Sequence, residues 1–426
     1  SDMSNKVLEQ GQQAGTSLDL AQEPNGNEQV LYTIQESQDT VRLLRNLAGK
    51  DTGRIDTTPR WNVSTIPQGD QGMKIISDAD FNGDGYSDLV WSEPHASGVT
   101  LNETGKVSIY FGGSGGLEQV PDKIINGSFE SELFGHGIAA CDINGDSYDD
   151  LAIGRPGAGA ENTGGVIVYL GSESGLSTNP GWNYFGHGHQ NQTGWEVECA
   201  GNVNGDSYED LLLSSRGANV SSSVSGTVSA QYFGMVELFL GSANGLSTTA
   251  DWVSIGTTMD SYFGTEITGQ GDFNGDGFDD FAISATGTMD DFLGYSEVII
   301  WEGSGSGPSQ DPTRRIISNV QGRLLGHAMA WVDVNGDGFD DLAISEPFNS
   351  SISYQAGKVW LFHGTADSGL TVNPVWVNEE GTSNALAGVS LANAGDVNED
   401  GFEDLVVTMG GIGSFGGRVE LCLGST

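Results

Sequence analysis

Basic residues are scarce in this chain of 426 residues. Lysine and arginine together number 16 against 58 aspartates and glutamates, which gives a formal net charge of −42. Nucleic acids and anionic membranes are bound mainly through basic residues that neutralise their phosphates. The composition therefore argues against nucleic acid as a partner and predicts that cations accompany the chain.

Cysteine is also rare, with three residues in the whole chain. Cys141, Cys199 and Cys422 each lie in apolar, strand-like sequence, where a small buried side chain packs well. Three cysteines cannot form a disulfide framework. We expect inert buried thiols, and a bridge between Cys141 and Cys199 is the alternative.

Long apolar segments and helical stripes are missing. No apolar run reaches the roughly 18 residues that a membrane-spanning helix needs, so we predict no direct insertion into a membrane. Glycine, in contrast, occurs 65 times and proline 11 times, and 37% of the residues are hydrophobic. This composition is typical of a globular all-β chain with many short strands joined by tight turns.

Six acidic segments of the form Asp-x-Asn-x-Asp-x-x-x-Asp recur along the chain, with a period of about 60 residues. Each lies in a similar unit: a strand before it, a strand after it, a third strand that ends in a Gly-x-x-x-Gly turn, and a fourth strand around a tryptophan. Four short strands cannot bury a core alone, whereas several such sheets packed around an axis can. The repeat predicts a β-propeller of four-stranded antiparallel blades. The segments begin at Asp80, Asp142, Asn202, Asp272, Asp333 and Asp396.

Residues 13–67 lack an acidic segment but fit the same repeat. Gly49, Gly53 and Trp61 correspond to the turn glycines and the tryptophan of the later units. We therefore predict a single domain of seven blades, with a metal-free blade at 13–67 and six blades with acidic loops in 68–426. The last unit ends after its third strand, so residues 1–12 are expected to add its outer strand and close the ring.

The acidic segments have the spacing of calcium-binding loops. Positions 1, 3, 5 and 9 offer side-chain oxygens and position 7 offers a backbone carbonyl, while in the first loop the glycines at positions 4 and 6 allow a tight coil. Calcium prefers six or seven oxygen ligands in a flexible cage, whereas zinc requires histidine or cysteine. One Asx-Gly run would be an ordinary turn, but six at the same place in a repeat indicate about six Ca²⁺ sites. The predicted ligands are Asp80, Asn82, Asp84, Tyr86 and Asp88; Asp142, Asn144, Asp146, Tyr148 and Asp150; Asn202, Asn204, Asp206, Tyr208 and Asp210; Asp272, Asn274, Asp276, Phe278 and Asp280; Asp333, Asn335, Asp337, Phe339 and Asp341; and Asp396, Asn398, Asp400, Phe402 and Asp404.

Two of these loops depart from the pattern. Asn202 replaces the first aspartate of the third loop, which should therefore bind calcium most weakly, and Glu399 replaces the glycine at position 4 of the last loop, which should matter little. Carboxylates packed together without a metal repel one another, so calcium is expected to contribute to folding itself. Because calcium is millimolar outside cells, we predict an extracellular or cell-surface protein.

Further motifs accompany the loops. Phe134-Gly135 precedes the second loop, and Gly154–Ala158 and Gly164–Val166 follow it, with similar segments at Phe263-Gly264 and Gly357–Val359. Together they resemble FG-GAP repeats, and seven such repeats resemble the propeller of integrin α-subunits. Six acidic loops exceed the few of integrin propellers, which indicates a bacterial or divergent relative. The resemblance implies an extracellular adhesion or ligand-binding module, with calcium on the face opposite the ligand.

The loops on that opposite face vary in length: 214–234 is much longer than 408–417. Variable loops on a rigid scaffold are where recognition usually takes place. His136 and His327 stand at matching positions and are expected to line the central channel. For any single aromatic residue, a blade-packing or rim position is favoured over ligand binding, and only the face as a whole points to recognition. The candidate ligand-binding residues are Tyr184, His187, Trp195, Tyr232, Phe233, Tyr262, Phe292 and Tyr354.

Common catalytic motifs are absent from the sequence: it has no nucleophile elbow, phosphate-binding loop, HExxH segment or dinucleotide fingerprint. We therefore expect a non-enzymatic adhesion module that binds an extracellular protein or glycan. The alternatives are a polysaccharide lyase or glycosidase on a calcium-rich propeller, and a structural spacer of a larger surface protein. The sequence specifies no oligomeric state.

Overall fold

The computed structural model describes the backbone of residues 4–10, 18–22, 29–35, 40–46 and 55–63. It then describes residues 74–425 with their side chains, apart from 99–100, 189, 219–231, 288–295, 319, 321, 367–368 and 412–416. Among the described residues, no helix is long and apolar enough to cross a bilayer.

The described secondary structure is almost entirely β, with a single 3₁₀ turn at Ala160–Asn162 among the described residues. Short strands follow one another along the chain, as the glycine-rich turns predict. They are β1 (Ser4–Gln10), β2 (Leu18–Gln22), β3 (Gln29–Gln35), β4 (Thr40–Asn46), β5 (Ile55–Val63), β6 (Ile75–Ala79), β7 (Asp88–Glu93), β8 (Lys106–Tyr110), β9 (Lys123–Asn126), β10 (Ile138–Cys141), β11 (Asp150–Gly154), β12 (Gly165–Tyr169), β13 (Trp182–Phe185), β14 (Thr193–Gly201), β15 (Asp210–Ser215), β16 (Met235–Phe239), β17 (Trp252–Ile255), β18 (Phe263–Gly271), β19 (Asp280–Ala285), β20 (Glu297–Trp301), β21 (Arg314–Ile317), β22 (Met329–Val332), β23 (Asp341–Ser345), β24 (Lys358–Phe362), β25 (Trp376–Glu379), β26 (Ala387–Asn393), β27 (Leu405–Met409) and β28 (Arg418–Leu423).

These strands pair into four-stranded antiparallel sheets of consecutive strands: β2–β5, β6–β9, β10–β13, β14–β17, β18–β21 and β22–β25. The first strand of each sheet contacts the first strand of the next, from β2 through β6, β10, β14, β18 and β22 to β26. Sheets arranged in this way are the blades of a propeller. The prediction of an all-β propeller with four-stranded blades is confirmed.

The strands β26–β28 form a further sheet whose fourth strand comes from the other end of the chain. The order is β1-β28-β27-β26, and β1 pairs antiparallel with β28 from Ser4 opposite Leu423 to Gln10 opposite Arg418. This is the pairing that the predicted closing strand requires. The number of blades and the closure of the ring stay predictions, and deletion of residues 1–12 tests the closure.

The core lies between the blades. On β11, Leu151 packs with Val90 and Ile109 of the preceding sheet. Its neighbour Ala152 packs instead with Leu211 of the following sheet. Because successive side chains of a strand point to opposite faces, a strand between two blades is apolar on both faces. This explains why the second and third strands read as continuous apolar runs.

The two cysteines of neighbouring inner strands are joined. Cys141 of β10 and Cys199 of β14 form a disulfide, with 5.8 Å between their Cα atoms. They are 58 residues apart, close to one repeat, so they occupy similar places on adjacent blades. Our expectation of two inert thiols is therefore wrong, and the alternative bridge is present. Cys422 is a buried free thiol, as expected.

Candidate metal sites and the opposite face

Each acidic loop connects the first and second strands of a blade. In the loop between β6 and β7, the Asp80 carboxylate accepts hydrogen bonds from the backbone N–H of Gly83 at 2.7 Å and of Asp84 at 3.2 Å. Asn82 Oδ1 accepts from the Asp84 N–H, and Asp84 Oδ1 accepts from the Tyr86 N–H, both at 2.9 Å. The loop thus coils around the oxygens of positions 1, 3 and 5. In the other five loops, the position 5 N–H likewise donates to position 1 and the position 7 N–H to position 5.

The carboxylate at position 9 is almost fully buried in every loop and lies at the start of the second strand. One of its oxygens accepts a hydrogen bond from the glycine that follows the third strand, as from Gly112 to Asp88 at 2.7 Å. The same bond recurs at 2.8–2.9 Å in the other five blades. In four loops the second oxygen accepts the N–H of position 2. Each oxygen has two lone pairs, so these bonds leave room for a metal.

Burial dominates the electrostatics of position 9. It raises the pKa of Asp88 to about 7 and that of Asp280 to about 8, although backbone hydrogen bonds lower both. The other carboxylates of the same loop raise the pKa further by repulsion. A cation held in the loop would offset both the burial and the repulsion. The same causes raise the pKa of Asp150, Asp210 and Asp404 to about 7 and that of Asp341 to about 8.

The donor set fits a hard divalent cation, because every predicted ligand atom is an oxygen. Asn398 Oδ1, at position 3 of the last loop, is buried without a hydrogen-bond partner. The Oδ2 atoms of Asp150 and Asp341 are buried without a hydrogen bond of ordinary geometry. Buried oxygens without partners are costly and call for a ligand.

The three carboxylates of one loop are spaced more widely than the ligands of a bound ion. Within the described residues, one group of three acidic, histidine or cysteine side chains has all its ligand atoms within 4.8 Å, and it consists of Cys141, Cys199 and Glu209. The two cysteine sulfurs of this group already form the disulfide. A bound ion would therefore have to draw the carboxylates of its loop closer together. The carboxylates would then repel one another more strongly, and the positive charge of the ion would offset that repulsion.

Position 8 links successive loops, and sequence reasoning missed it. The Asp149 carboxylate accepts the backbone N–H of Asp80 at 2.6 Å, and the Asp149 N–H donates back to the Asp80 carbonyl at 3.2 Å. The first loop has Ser87 at position 8, and the blade before it has no acidic loop. The sequence did carry a signal for this link: position 8 is acidic in every loop that follows another acidic loop. The same reciprocal pair joins Asp142 to Glu209, Asn202 to Asp279, Asp272 to Asp340 and Asp333 to Glu403.

The aromatic ring at position 7 covers the glycine at position 4 of the preceding loop. A Cβ added to Gly205 would lie 2.6 Å from the Phe278 ring, and one added to Gly145 would lie 2.7 Å from the Tyr208 ring. Glycine is therefore required there by the neighbouring blade, and it also suits the positive φ. Glu399 takes this place in the last loop, and the chain has no aromatic residue between β2 and β3 that would cover it.

This contact gives a matched pair of substitutions. Gly275 and Gly277 both have positive φ, but a Cβ on Gly275 would overlap the Phe339 ring whereas one on Gly277 meets no atom within 4 Å. Backbone strain is thus similar, and overpacking should make Gly275→Ala about 1–3 kcal/mol more destabilising than Gly277→Ala. Urea unfolding of both variants in calcium measures the difference. Equal midpoints would show that the ring contact contributes nothing.

The predicted ligand-binding residues have different surroundings. Tyr184 is 5% exposed, donates its hydroxyl to Glu237 at 2.7 Å and contacts His187 edge-on, so it packs the blade. Tyr354 is 65% exposed. Phe233 is half-buried, and Phe292 lies outside the described residues.

Three of the predicted residues come together around an arginine that sequence reasoning missed. The Arg216 guanidinium carbon lies 4.3 Å from the centre of the Trp195 ring and 4.8 Å from that of Tyr262. Tyr232 stacks on Tyr262 with 5.4 Å between ring centres. Arg216 follows β15 and Tyr262 precedes β18, so this arginine cluster lies at the end of the blades away from the acidic loops. Arg216 belongs to no repeated motif, so the repeat pattern did not indicate it.

Charged groups and two histidines lie near the inner strands. Lys74 Nζ forms an ion pair with Glu196 at 2.9 Å. Burial lowers the pKa of both His136 and His327 to about 4, which keeps them neutral at physiological pH. His136 Nδ1 lies 2.8 Å from the Trp195 carbonyl oxygen. These histidines therefore support the inner strands and carry no charge.

Comparisons with known proteins agree with the repeat. The model of the FG-GAP repeat matches residues 77–110, 134–169 and 325–362. Integrin alpha-V of Gallus gallus is 26% identical over 281 residues, which cover 65% of this chain and 26% of that protein. Integrin alpha-8 of the same species is 25% identical over 333 residues, covering 71% and 30%.

A second group of relatives has a different name. Phosphatidylinositol-glycan-specific phospholipase D of Bos taurus is 36% identical over 170 residues, which cover 37% of this chain and 20% of that protein. The chain thus spans between 20% and 30% of the length of these curated relatives.

One solved structure supports the fold alone. A chain in the crystal structure of BBS1N in complex with ARL6DN has a TM-score of 0.56 at 10% identity, covering 100% of this chain and 97% of that one. The resemblance to FG-GAP repeats and integrin α-subunits is confirmed.

Proposed function

We propose that this chain, which carries FG-GAP repeats and is similar to integrin α-subunits, is a calcium-stabilised ligand-binding or adhesion module that acts outside the cell. The observation that carries the proposal is the division between its two faces. One face holds six acidic loops joined by hydrogen bonds. The other holds loops of unequal length and the arginine cluster. A rigid scaffold with variable loops on one face is suited to recognition.

Calcium is the proposed cofactor, with about six ions per chain. The ligands would be the oxygens at positions 1, 3, 5, 7 and 9 of each loop, which form an all-oxygen set of the kind calcium prefers. In the first five loops the ion would also hold the position 1 residue to which the next loop is bonded. Calcium would therefore stabilise the boundaries between blades and act on the ligand face only indirectly.

An array of extracellular proteins and glycans tests the proposed function. The protein, labelled at its surface, should bind a subset of the array in millimolar calcium and bind it more weakly in EGTA, because the boundaries between blades are then less stable. Restoring calcium should restore the binding. No binding in calcium by a protein that melts cooperatively would contradict the proposal and favour a structural spacer.

A catalytic role is the second candidate, favoured by the phospholipase relatives. Their matches cover about a fifth of the bovine protein, so the activity in its name does not transfer with them. Incubation with phosphatidylinositol-glycan-anchored protein and with acidic polysaccharides, followed by mass spectrometry, should give no product. Turnover that depends on the protein concentration would replace the binding proposal with a catalytic one.

A further inference from the structure

Arg216 differs from the other charged residues near the ends of the second strands. Glu93, at the end of β7, forms an ion pair with Lys106. Arg155, just after β11, forms an ion pair with Glu132, with 3.4 Å between Nη1 and Oε1. In the blade of β23, Glu346 lies 3.8 Å from Arg323 and accepts a hydrogen bond from Ser318 at 2.7 Å. These charges are neutralised within the chain.

Arg216 has no such partner. Within the part of the chain that the structure describes, its guanidinium makes no hydrogen bond and no ion pair, and its Nε is buried without an acceptor. Glu196 is close enough for its charge to act on Arg216, but the Glu196 carboxylate is already paired with Lys74 at 2.9 Å. A partly buried cation without a counterion is costly, and an external anion would remove that cost.

The aromatic residues hold this guanidinium in place. Arg216 contacts the rings of Trp195 and Tyr262. Trp195 contacts His136 with 4.0 Å between ring centres, and Tyr262 stacks on Tyr232. A guanidinium fixed on aromatic rings keeps its two Nη groups for a carboxylate, which they can bind with two parallel hydrogen bonds. Because the side chain is already ordered, little conformational entropy is lost when a ligand binds.

We propose that Arg216 is a binding site for a carboxylate, presented by an aspartate or glutamate side chain of a protein ligand. The inference rests on the proposed function, because it assigns a residue of that ligand to this face. The net charge of −42 repels polyanions, so the carboxylate must stand alone in a neutral or basic segment. Trp195 and Tyr262 already contact other side chains, which disfavours the ring stacking that a sugar would need.

Nuclear magnetic resonance can observe the guanidinium directly. In protein labelled with ¹⁵N-arginine and saturated with calcium, the Nε–H signal of Arg216 is identified by its loss in Arg216→Lys. Titration with capped Gly-Glu-Gly should shift this signal along a saturable curve with a dissociation constant of about 1 mM or weaker. Capped Gly-Gln-Gly, which lacks the charge, should not shift it. The signal of Arg155, whose guanidinium is already paired, is the internal control.

Two variants extend the test. Arg216→Gln should weaken Gly-Glu-Gly binding, measured by calorimetry, at least about tenfold. Arg216→Lys should bind with intermediate affinity, because it keeps the charge without the planar fork. An unmoved Arg216 signal, or equal shifts with both peptides, would overturn the inference and leave Arg216 as a packing residue. Tighter binding of methyl glucuronide than of Gly-Glu-Gly would replace the protein ligand with a glycan.

The array experiment separates the two failures. If wild-type protein binds array members and Arg216→Gln binds them equally well, the carboxylate site is wrong while the proposed function stands. If wild-type protein binds Gly-Glu-Gly but no array member, the carboxylate site stands and the proposed function fails.

Discussion

Removal of calcium should lower the melting temperature of this protein by about 10–20 °C. A site whose dissociation constant is ten to a hundred times below the free calcium concentration contributes about 1.4–2.7 kcal/mol, so six sites contribute about 8–16 kcal/mol. With an unfolding entropy of about 2.1 cal/mol/K per residue, a chain of 426 residues loses about 1 °C for each 0.9 kcal/mol. The large size of the shift comes from the number of sites.

Calorimetry in calcium and in EGTA measures this shift. Asp276→Asn is the matched variant, since it removes one carboxylate of the fourth loop with little change in shape. It should lower the melting temperature in calcium and have little effect in EGTA, where no ion is lost. A melting temperature that is the same in calcium and in EGTA would refute calcium as a structural cofactor.

Deletion of residues 1–12 should lower the melting temperature by about 5–10 °C, from about six lost backbone hydrogen bonds and the burial that goes with them. The deletion removes β1, which pairs with β28 along Ser4–Gln10. The exposed edge of β28 would also favour association between molecules. Differential scanning calorimetry and gel filtration in calcium measure the two effects.

The deleted segment supplies its own control. A synthetic peptide of residues 1–12 added to the truncated chain should restore part of the lost stability by adding a strand to β28. A peptide with proline in place of Val7 should restore less, because proline cannot donate a strand hydrogen bond. An unchanged melting curve after the deletion would show that β1 does not close the ring.

The propeller was predictable because its signals repeat. The acidic loops recur with a period of about 60 residues, and the apolar runs between them match strands packed on both faces. The position 9 carboxylates, such as Asp88, were also predictable as a set. Their burial and their bond to the glycine after the third strand were not, because that bond joins residues 20 to 31 positions apart in the sequence.

The missed features are contacts between neighbouring blades. Asp149 bonds to Asp80 of the preceding loop, and reading one repeat at a time hides such a pair. The disulfide between Cys141 and Cys199 also joins neighbouring blades, so the sequence supported it only as an alternative. Arg216 was missed because it belongs to no repeated motif. Trp195 and Tyr262 lie far from it in the sequence and contact it only in the folded chain.

The central claim is that each acidic loop holds a calcium ion that stabilises a boundary between blades. Equilibrium dialysis against calcium followed by elemental analysis tests it most directly. We predict about six ions per chain in wild-type protein at millimolar calcium. As calcium is lowered, the third loop, which begins at Asn202, should lose its ion first, and in Asp276→Asn the fourth loop should lose its ion over the same range. Wild-type protein that is folded in millimolar calcium and yet binds no calcium would contradict the account.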